Sequence, residues 1–298
     1  MRAFLAHTQQ LLPQLPPHEL CCIGVALARW NESPGSAWLA AYQEAWVAGP
    51  LQHASPQGIA MHAWAIARLS AGASSSTGAS SAPRQPPRPQ WTAALIAASE
   101  QATARGGAPL TLRGLAMVGW SLGKLGVQPP GSWTQRVLLQ GTLPALEHAA
   151  AVAAGSGRQQ AAAAAGGGPL PGELVMLGWA AAHAEGGTQR RGGDGASSSG
   201  DAALEAAAEG RGAWWRAYLG ACGGAMQAAT MPELAGMLLP VAQSGVRPGG
   251  VPLTQELPAF PPPRRPPVRT PARALPTCLP ALPARPPARP PAWLLTHA

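Results

Sequence analysis

Arg29, Arg68, Lys124 and His183 stand at one offset in four similar segments of this 298-residue chain, and the series ends in Gln243 of a fifth. The segments read LCCIGVALARW (Leu20 to Trp30), IAMHAWAIARL (Ile59 to Leu69), LAMVGWSLGKL (Leu115 to Leu125), LVMLGWAAAHA (Leu174 to Ala184) and LAGMLLPVAQS (Leu234 to Ser244). Counting each first apolar residue as zero, these side chains fall at position nine. A row of cations repeated at a fixed spacing is suited to a polyanion, because Lys and Arg release counterions where they touch phosphates. The competing explanation is local: position nine reads as the last turn of a helix, where a cation meets the negative end of the dipole. Arg113 and Arg136 are looser candidates for the same role.

The elements that hold this row must be helices stacked in register. Tryptophan recurs at position five (Trp64, Trp120, Trp179), replaced by Val25 and Leu239 in the outer segments, and a small residue recurs at position eight. Apolar or very small residues at zero, four, five and eight define one wide helical face. On that pattern the tryptophans read as core rather than as platforms for bases. Positions minus one, two and six, mostly Glu, Gly, Met, Cys, Ala or Ser, are expected near the cationic stripe, where they could form a base-facing floor. Gly24, Gly119 and Gly178 at position four cost an isolated helix roughly 1 kcal/mol each relative to alanine. Their recurrence predicts close approach to a neighbouring helix.

A second phrase interleaves with the first. Trp38 and Trp133 each lie eighteen residues after a zero position, and Trp91 and the Trp214–Trp215 pair open similar apolar stretches. Each unit is therefore a pair of helices. Self-similarity at a fixed period is the signature of a stacked array. The first step, Leu20 to Ile59, is 39 residues, and the later steps of 56, 59 and 60 carry insertions. The fold class expected is all-α: an α-solenoid of paired-helix repeats of about 38–40 residues over 1–246. Disordered low-complexity loops are expected near 72–89, 153–168 and 186–212. Pro17, Pro56 and Pro171 stand three residues before position zero, where a first turn accepts proline, and Glu19, Glu173 and Glu233 follow within that turn. Packed helices lie about 8–10 Å apart, a pitch that an extended single strand can follow at one nucleotide per unit.

Bulk charge says little about partners. The net charge is +8, but residues 247–298 hold seven arginines against one glutamate, leaving only +2 over 1–246. That Pro/Arg/Ala-rich stretch reads as a disordered tail. Nothing points to an enzyme: no phosphate loop, HExxH, GxSxG or dinucleotide fingerprint follows a strand. Cys21, Cys22, Cys222 and Cys278 form no CxxC pair, the histidines lack zinc spacing, and no cofactor or metal is implied. His62 reads as a helix-surface residue, as does His183 outside its place in the row. No apolar run reaches the length of a membrane span.

The phrases SPQGIAMHAWAIARLS and LTLRGLAMVGWSLGKLGVQPPGSW resemble octotricopeptide repeats, paired-helix units of organellar RNA-binding proteins of algae and plants. The family's second-helix pattern is matched by Pro56, Gln57, Trp64, Ala65, Ala67, Arg68 and Leu69. Its Pro-Pro-x-x-Trp start is matched by Pro129, Pro130 and Trp133. The fifth segment departs from the pattern at Leu239 and Pro240. The resemblance implies single-stranded RNA as partner, a part in transcript stability, processing or translation, and protein partners in an organellar ribonucleoprotein. It implies an organelle, chloroplast ahead of mitochondrion, although the first residues show no Arg- and Ser-rich transit peptide. The RAP domain of related FAST-kinase-like proteins is not found, and the start in mid-unit is what a piece of a longer array would show. The alternative reading is a HEAT- or armadillo-type scaffold for protein partners.

Overall fold

The structure is a computed structural model, and it describes residues 1–72, 86–104, 109–155, 168–191 and 201–244. These fall in the compact unit Met1–Gly249; the tail, the second unit Gly250–Ala298 and the centres of the three expected loops lie outside the described residues. The chain is all-α, with no strand among the described residues. The helices are α1 (Arg2–Leu11), α2 (Pro17–Trp30), α3 (Ser36–Val47), the short α4 (Pro50–His53), α5 (Pro56–Gly72), α6 (Pro89–Ala104) and α7 (Leu112–Lys124). They continue with α8 (Gly131–Trp133), which runs through a π-helical segment (Thr134–Leu139) into α9 (Gln140–Ala154). Last come α10 (Pro171–Arg191), α11 (Asp201–Ala225) and α12 (Met231–Ser244).

The helix starts follow from side chains at fixed places. Pro17, Pro56 and Pro171 are first residues of their helices, where no N–H is required. Ser55 Oγ accepts from Gly58 N at 3.0 Å and Thr111 Oγ1 from Gly114 N at 3.2 Å, each an N-cap. Glu233 and Glu173 do more than face a dipole. Glu233 Oε2 accepts from both Thr230 N (2.8 Å) and Thr230 Oγ1 (2.7 Å), and Glu173 Oε2 from Leu170 N (3.2 Å). Those backbone bonds also hold the Glu233 carboxyl below its ordinary range.

One position decides where these helices end. Position eleven is Asn31 in the first segment and Gly126 in the third, both left-handed (φ 56° and 72°). Their N–H groups and those of the next residues cap the last carbonyls. In α5 and α10 the same position is Ser70 and Glu185, and both helices run on. The expected loop at 186–212 is accordingly smaller than the sequence suggested. Helix continues to Arg191 and resumes at Asp201, because alanine and charged residues outweigh the scattered glycines there.

The repeat-bearing helices pack in succession, α2 on α5, α5 on α7, α7 on α10 and α10 on α12. The intervening helices do likewise, α1 with α3, α3 with α6, α6 with the π segment and α9 with α11. Their tryptophans form the core: Trp38, Trp91, Trp133, Trp214 and Trp215 are all buried. Three indoles reach back to a hydroxyl on the preceding helix of this second set. Trp38 Nε1 donates to Thr8 Oγ1 (3.2 Å), Trp133 to Ser99 Oγ (2.8 Å) and Trp214 to Thr142 Oγ1 (2.8 Å). Ser99 is eight residues after Trp91, whereas Thr142 is nine after Trp133, because the π segment inserts one residue between them. Trp91 instead donates to His62 Nε2 at 2.7 Å.

His62 is therefore no surface residue. It is fully buried at position three, where the other segments have Ile23, Val118, Leu177 and Met237. With Nε2 accepting from Trp91, its Nδ1–H is left to donate to Tyr42 Oη (3.3 Å), which in turn donates to Leu20 O (2.9 Å). Burial pushes its pKa well below the ordinary histidine value, so the ring is neutral.

Candidate functional site

Positions five and nine are four residues apart and so lie one above the other on a helix. In α7 and α10 they form one cluster. Lys124 Nζ stands over its own turn's Trp120 ring (5.7 Å to the centroid) and over the Trp179 ring of the next repeat helix (5.0 Å). His183 stacks on Trp179 with ring centroids 5.3 Å apart and 7° between planes. Gln128, from the connection after α7, donates its amide to His183 Nε2 (3.1 Å) and to His183 O (3.4 Å). Gly123 at position eight makes this possible: a Cβ there would fall 2.8 Å from Trp179 Cη2 and 3.0 Å from His183 Cδ2, and would also collide with Trp179 Cζ3.

The position-five tryptophans are only partly core, Trp64 and Trp120 packing against it from its edge. Trp64, Trp120 and Trp179 are half-buried, each presenting part of its ring at the surface, whereas the tryptophans of the intervening helices are sealed. Position six differs from expectation in the opposite way. Ala65, Ser121 and Ala180 at position six are buried. Gly119 shows the contact they make, since a Cβ on it would lie 2.9 Å from Ala180 Cβ. Position six is helix-to-helix contact surface rather than a floor for a ligand, whereas position two is mixed, with Met117 buried, Met61 and Met176 half-buried and Cys22 exposed.

The six candidate residues divide into two groups. Arg29 and Arg68 are exposed, and Lys124 and His183 half-buried, all at position nine of successively packed helices. Arg29 and Lys124 occupy last turns, but α5 and α10 extend past Arg68 and His183, so capping cannot explain the whole row. Burial lowers the His183 pKa, making it a stacking and hydrogen-bonding member rather than a cation at neutral pH. Arg113 and Arg136 do not join this group. Arg113 stands at the other end of α7, eleven residues or about 16 Å from Lys124, and its Nε lies 3.9 Å from Glu173 Oε1. Arg136 belongs to the other set of helices and pairs with Glu100 at 3.4 Å. Sequence reading missed Gln128, whose only signal was its place three residues past position ten.

Among the described residues no group of His, Cys, Asp or Glu is placed to hold a metal ion, and Cys21, Cys22 and Cys222 are free thiols. Burial pushes Cys21 up to about 11 and Cys222 up to about 12, so neither is a ready nucleophile. No described helix is long and apolar enough to cross a membrane. No protein-family model, curated protein or solved structure matches the chain. Fold and site together define an all-α protein carrying a half-exposed cation and aromatic cluster.

Proposed function

We propose that this chain is an α-solenoid of paired-helix repeats that binds single-stranded RNA along the edge formed by positions five and nine. The observation that carries this reading is the set of Trp120, Lys124, Trp179 and His183, in which ring faces and a cation share one half-exposed surface. Aromatic faces stack on unpaired bases of any sequence, at about 1–3 kcal/mol per base, while a nearby Lys or Arg neutralises phosphate. The solenoid reading is supported by the succession α2, α5, α7, α10, α12, with position one of a helix meeting position minus one or two of the next at Cys21–Gly58, Ala60–Gly114 and Val175–Gly236. An organellar setting, chloroplast ahead of mitochondrion, and a role in transcript stability, processing or translation with ribonucleoprotein partners rest on the octotricopeptide resemblance.

The test is binding of the full chain to a randomised single-stranded RNA pool at two salt concentrations, beside Lys124→Ala, Trp179→Ala and the triple change Arg29→Ala, Arg68→Ala, Lys124→Ala. The tail arginines contribute equally to every variant. RNA binding at this edge requires selection of a sequence by the parent and its loss in the triple variant. Equal, unselective binding by all four proteins would leave the tail as the only RNA contact and favour a scaffold for protein partners.

A further inference from the structure

Six of the nine exposed large apolar residues among the described ones lie near the two ends of the helix succession: Met1, Phe4 and Trp30 at or on α1 and α2, and Met231, Leu238 and Leu239 on α12; Val47, Leu170 and Met226 lie elsewhere. On α12 the exposed side is Ala235, Leu238, Leu239 and Ala242, which are positions one, four, five and eight. That spacing is one helix stripe. At interior junctions these same positions receive the next repeat helix. Cys21 at position one meets Gly58 O at 3.9 Å, and Gly119 at position four and Gly123 at position eight meet Ala180 and Trp179. The incoming helix offers positions minus one, two and six, with Trp179 at position five beside them, as Gly236 at position two of α12 does against Val175 (2.9 Å for a Cβ built there).

The complementary half of that junction stands open on α2. Its positions minus one, two and six are Glu19, Cys22 and Ala26, the first two exposed and the third half-buried. They are of the same kind as the interior sets, such as Glu173, Met176 and Ala180 on α10. Residues 247–298 hold sixteen of the 34 prolines, and no proline-free run there exceeds seven residues, too short for the 13 or more of an interior repeat helix. We propose that the α12 face of one molecule seats the α2 face of a second copy, continuing the interior helix packing from chain to chain. Such a contact joins two different surfaces, so it propagates head to tail. It rests on the repeated helix packing and not on the nucleic-acid reading.

Sedimentation velocity of the full chain across a hundredfold range of concentration tests this, with two variants checked by circular dichroism for unchanged helix content. Leu238→Glu with Leu239→Glu closes the α12 face, and Ala26→Arg closes the α2 face. The wild type is expected to grow in mass with concentration and each variant to remain monomeric. Their mixture is expected to form a 1:1 heterodimer and nothing larger, because one intact face of each kind survives. A wild type that is monomeric throughout, a variant that still self-associates, or a mixture that stays monomeric would each overturn the proposal.

Discussion

The Tyr42 hydroxyl lies in the space that a side chain on Gly24 would occupy: a Cβ built there collides with the hydroxyl oxygen and falls 2.7 Å from Tyr42 Cζ. From that position the hydroxyl donates to Leu20 O at 2.9 Å, one turn earlier on the same helix. The arrangement recurs near the other end of the fold. Tyr218 fills the space over Gly178, its hydroxyl within hydrogen-bond distance of both Leu174 O (3.1 Å), also the residue at position zero, and Met237 O (3.0 Å), which share its one proton. Each tyrosine is four residues after the first tryptophan of its helix, and each glycine stands at position four.

Gly24→Ala is therefore expected to destabilise the protein by about 2–4 kcal/mol, from overpacking and a displaced hydrogen bond, although alanine is the better helix former. Tyr42→Phe in the same molecule removes the colliding oxygen and should recover part of that loss. Urea denaturation of the two single variants and the double variant measures the coupling. Additive effects would mean that the two residues do not share this space.

Folding stability should fall as pH drops below neutrality because of His62. Its folded pKa is depressed and its unfolded value is about 6.5, so below that value the unfolded chain binds the extra proton. Stability is thus complete above about 6.5 and declines by up to about 1.4 kcal/mol per pH unit as pH falls toward the folded pKa. The raised carboxyl of Glu185, buried against Trp215, acts in the opposite sense. It does so only from about 4.5 upward, in proportion to its shift. Replacing His62 by Gln should flatten the slope between pH 7 and 5, measured by urea unfolding at each pH. Replacing His183, also depressed, should flatten it less because that ring is only half-buried.

The indole-to-hydroxyl bonds predict a matched set of losses. Ser99→Ala and Thr142→Val each leave a buried tryptophan N–H without its acceptor, at a cost of about 1–3 kcal/mol. Thr134→Val, also buried but bonded only to Pro130 O one turn back, should cost less. Thermal denaturation of the three variants ranks them.

Gly123→Ala is expected to weaken RNA binding without changing any charge, because its methyl group would displace the Trp179 ring from beneath Lys124. Loss of one base stack is worth about 5- to 150-fold in affinity. Arg113→Ala and Arg136→Ala should leave the affinity within about twofold, since both arginines lie in ion pairs away from the cluster. Fluorescence anisotropy with a selected RNA compares all three.

The repeat, its zero positions and its helix starts were legible because proline, glutamate and large apolar residues carry those signals locally. Position nine was legible too, as a column of cations. What could not be read was which side of each helix meets a neighbour. Trp64 and Trp91 look alike in sequence, yet the first is half-open and the second sealed, because burial depends on whether a helix is covered on one side or two. His62 carried a detectable signal, a lone imidazole in an otherwise apolar column. It was read as a surface group because its partners Tyr42 and Trp91 lie 20 and 29 residues away.

The π segment before Thr142 shifts the register of its unit by one residue relative to the unit before it. One extra residue turns everything beyond it by about 100° relative to an uninterrupted α-helix. Here the wider turn absorbs that rotation, so Thr142 still meets Trp214. A column-by-column alignment counted from Trp133 puts Gly141 opposite Ser99 and misassigns the rest of α9 from Thr142 to Ala154. Conversely, deleting one residue from Thr134–Leu139 would bring the text of the unit into line with its neighbours. Such a deletion need not detach α11, if the shortened helix reverts to regular winding.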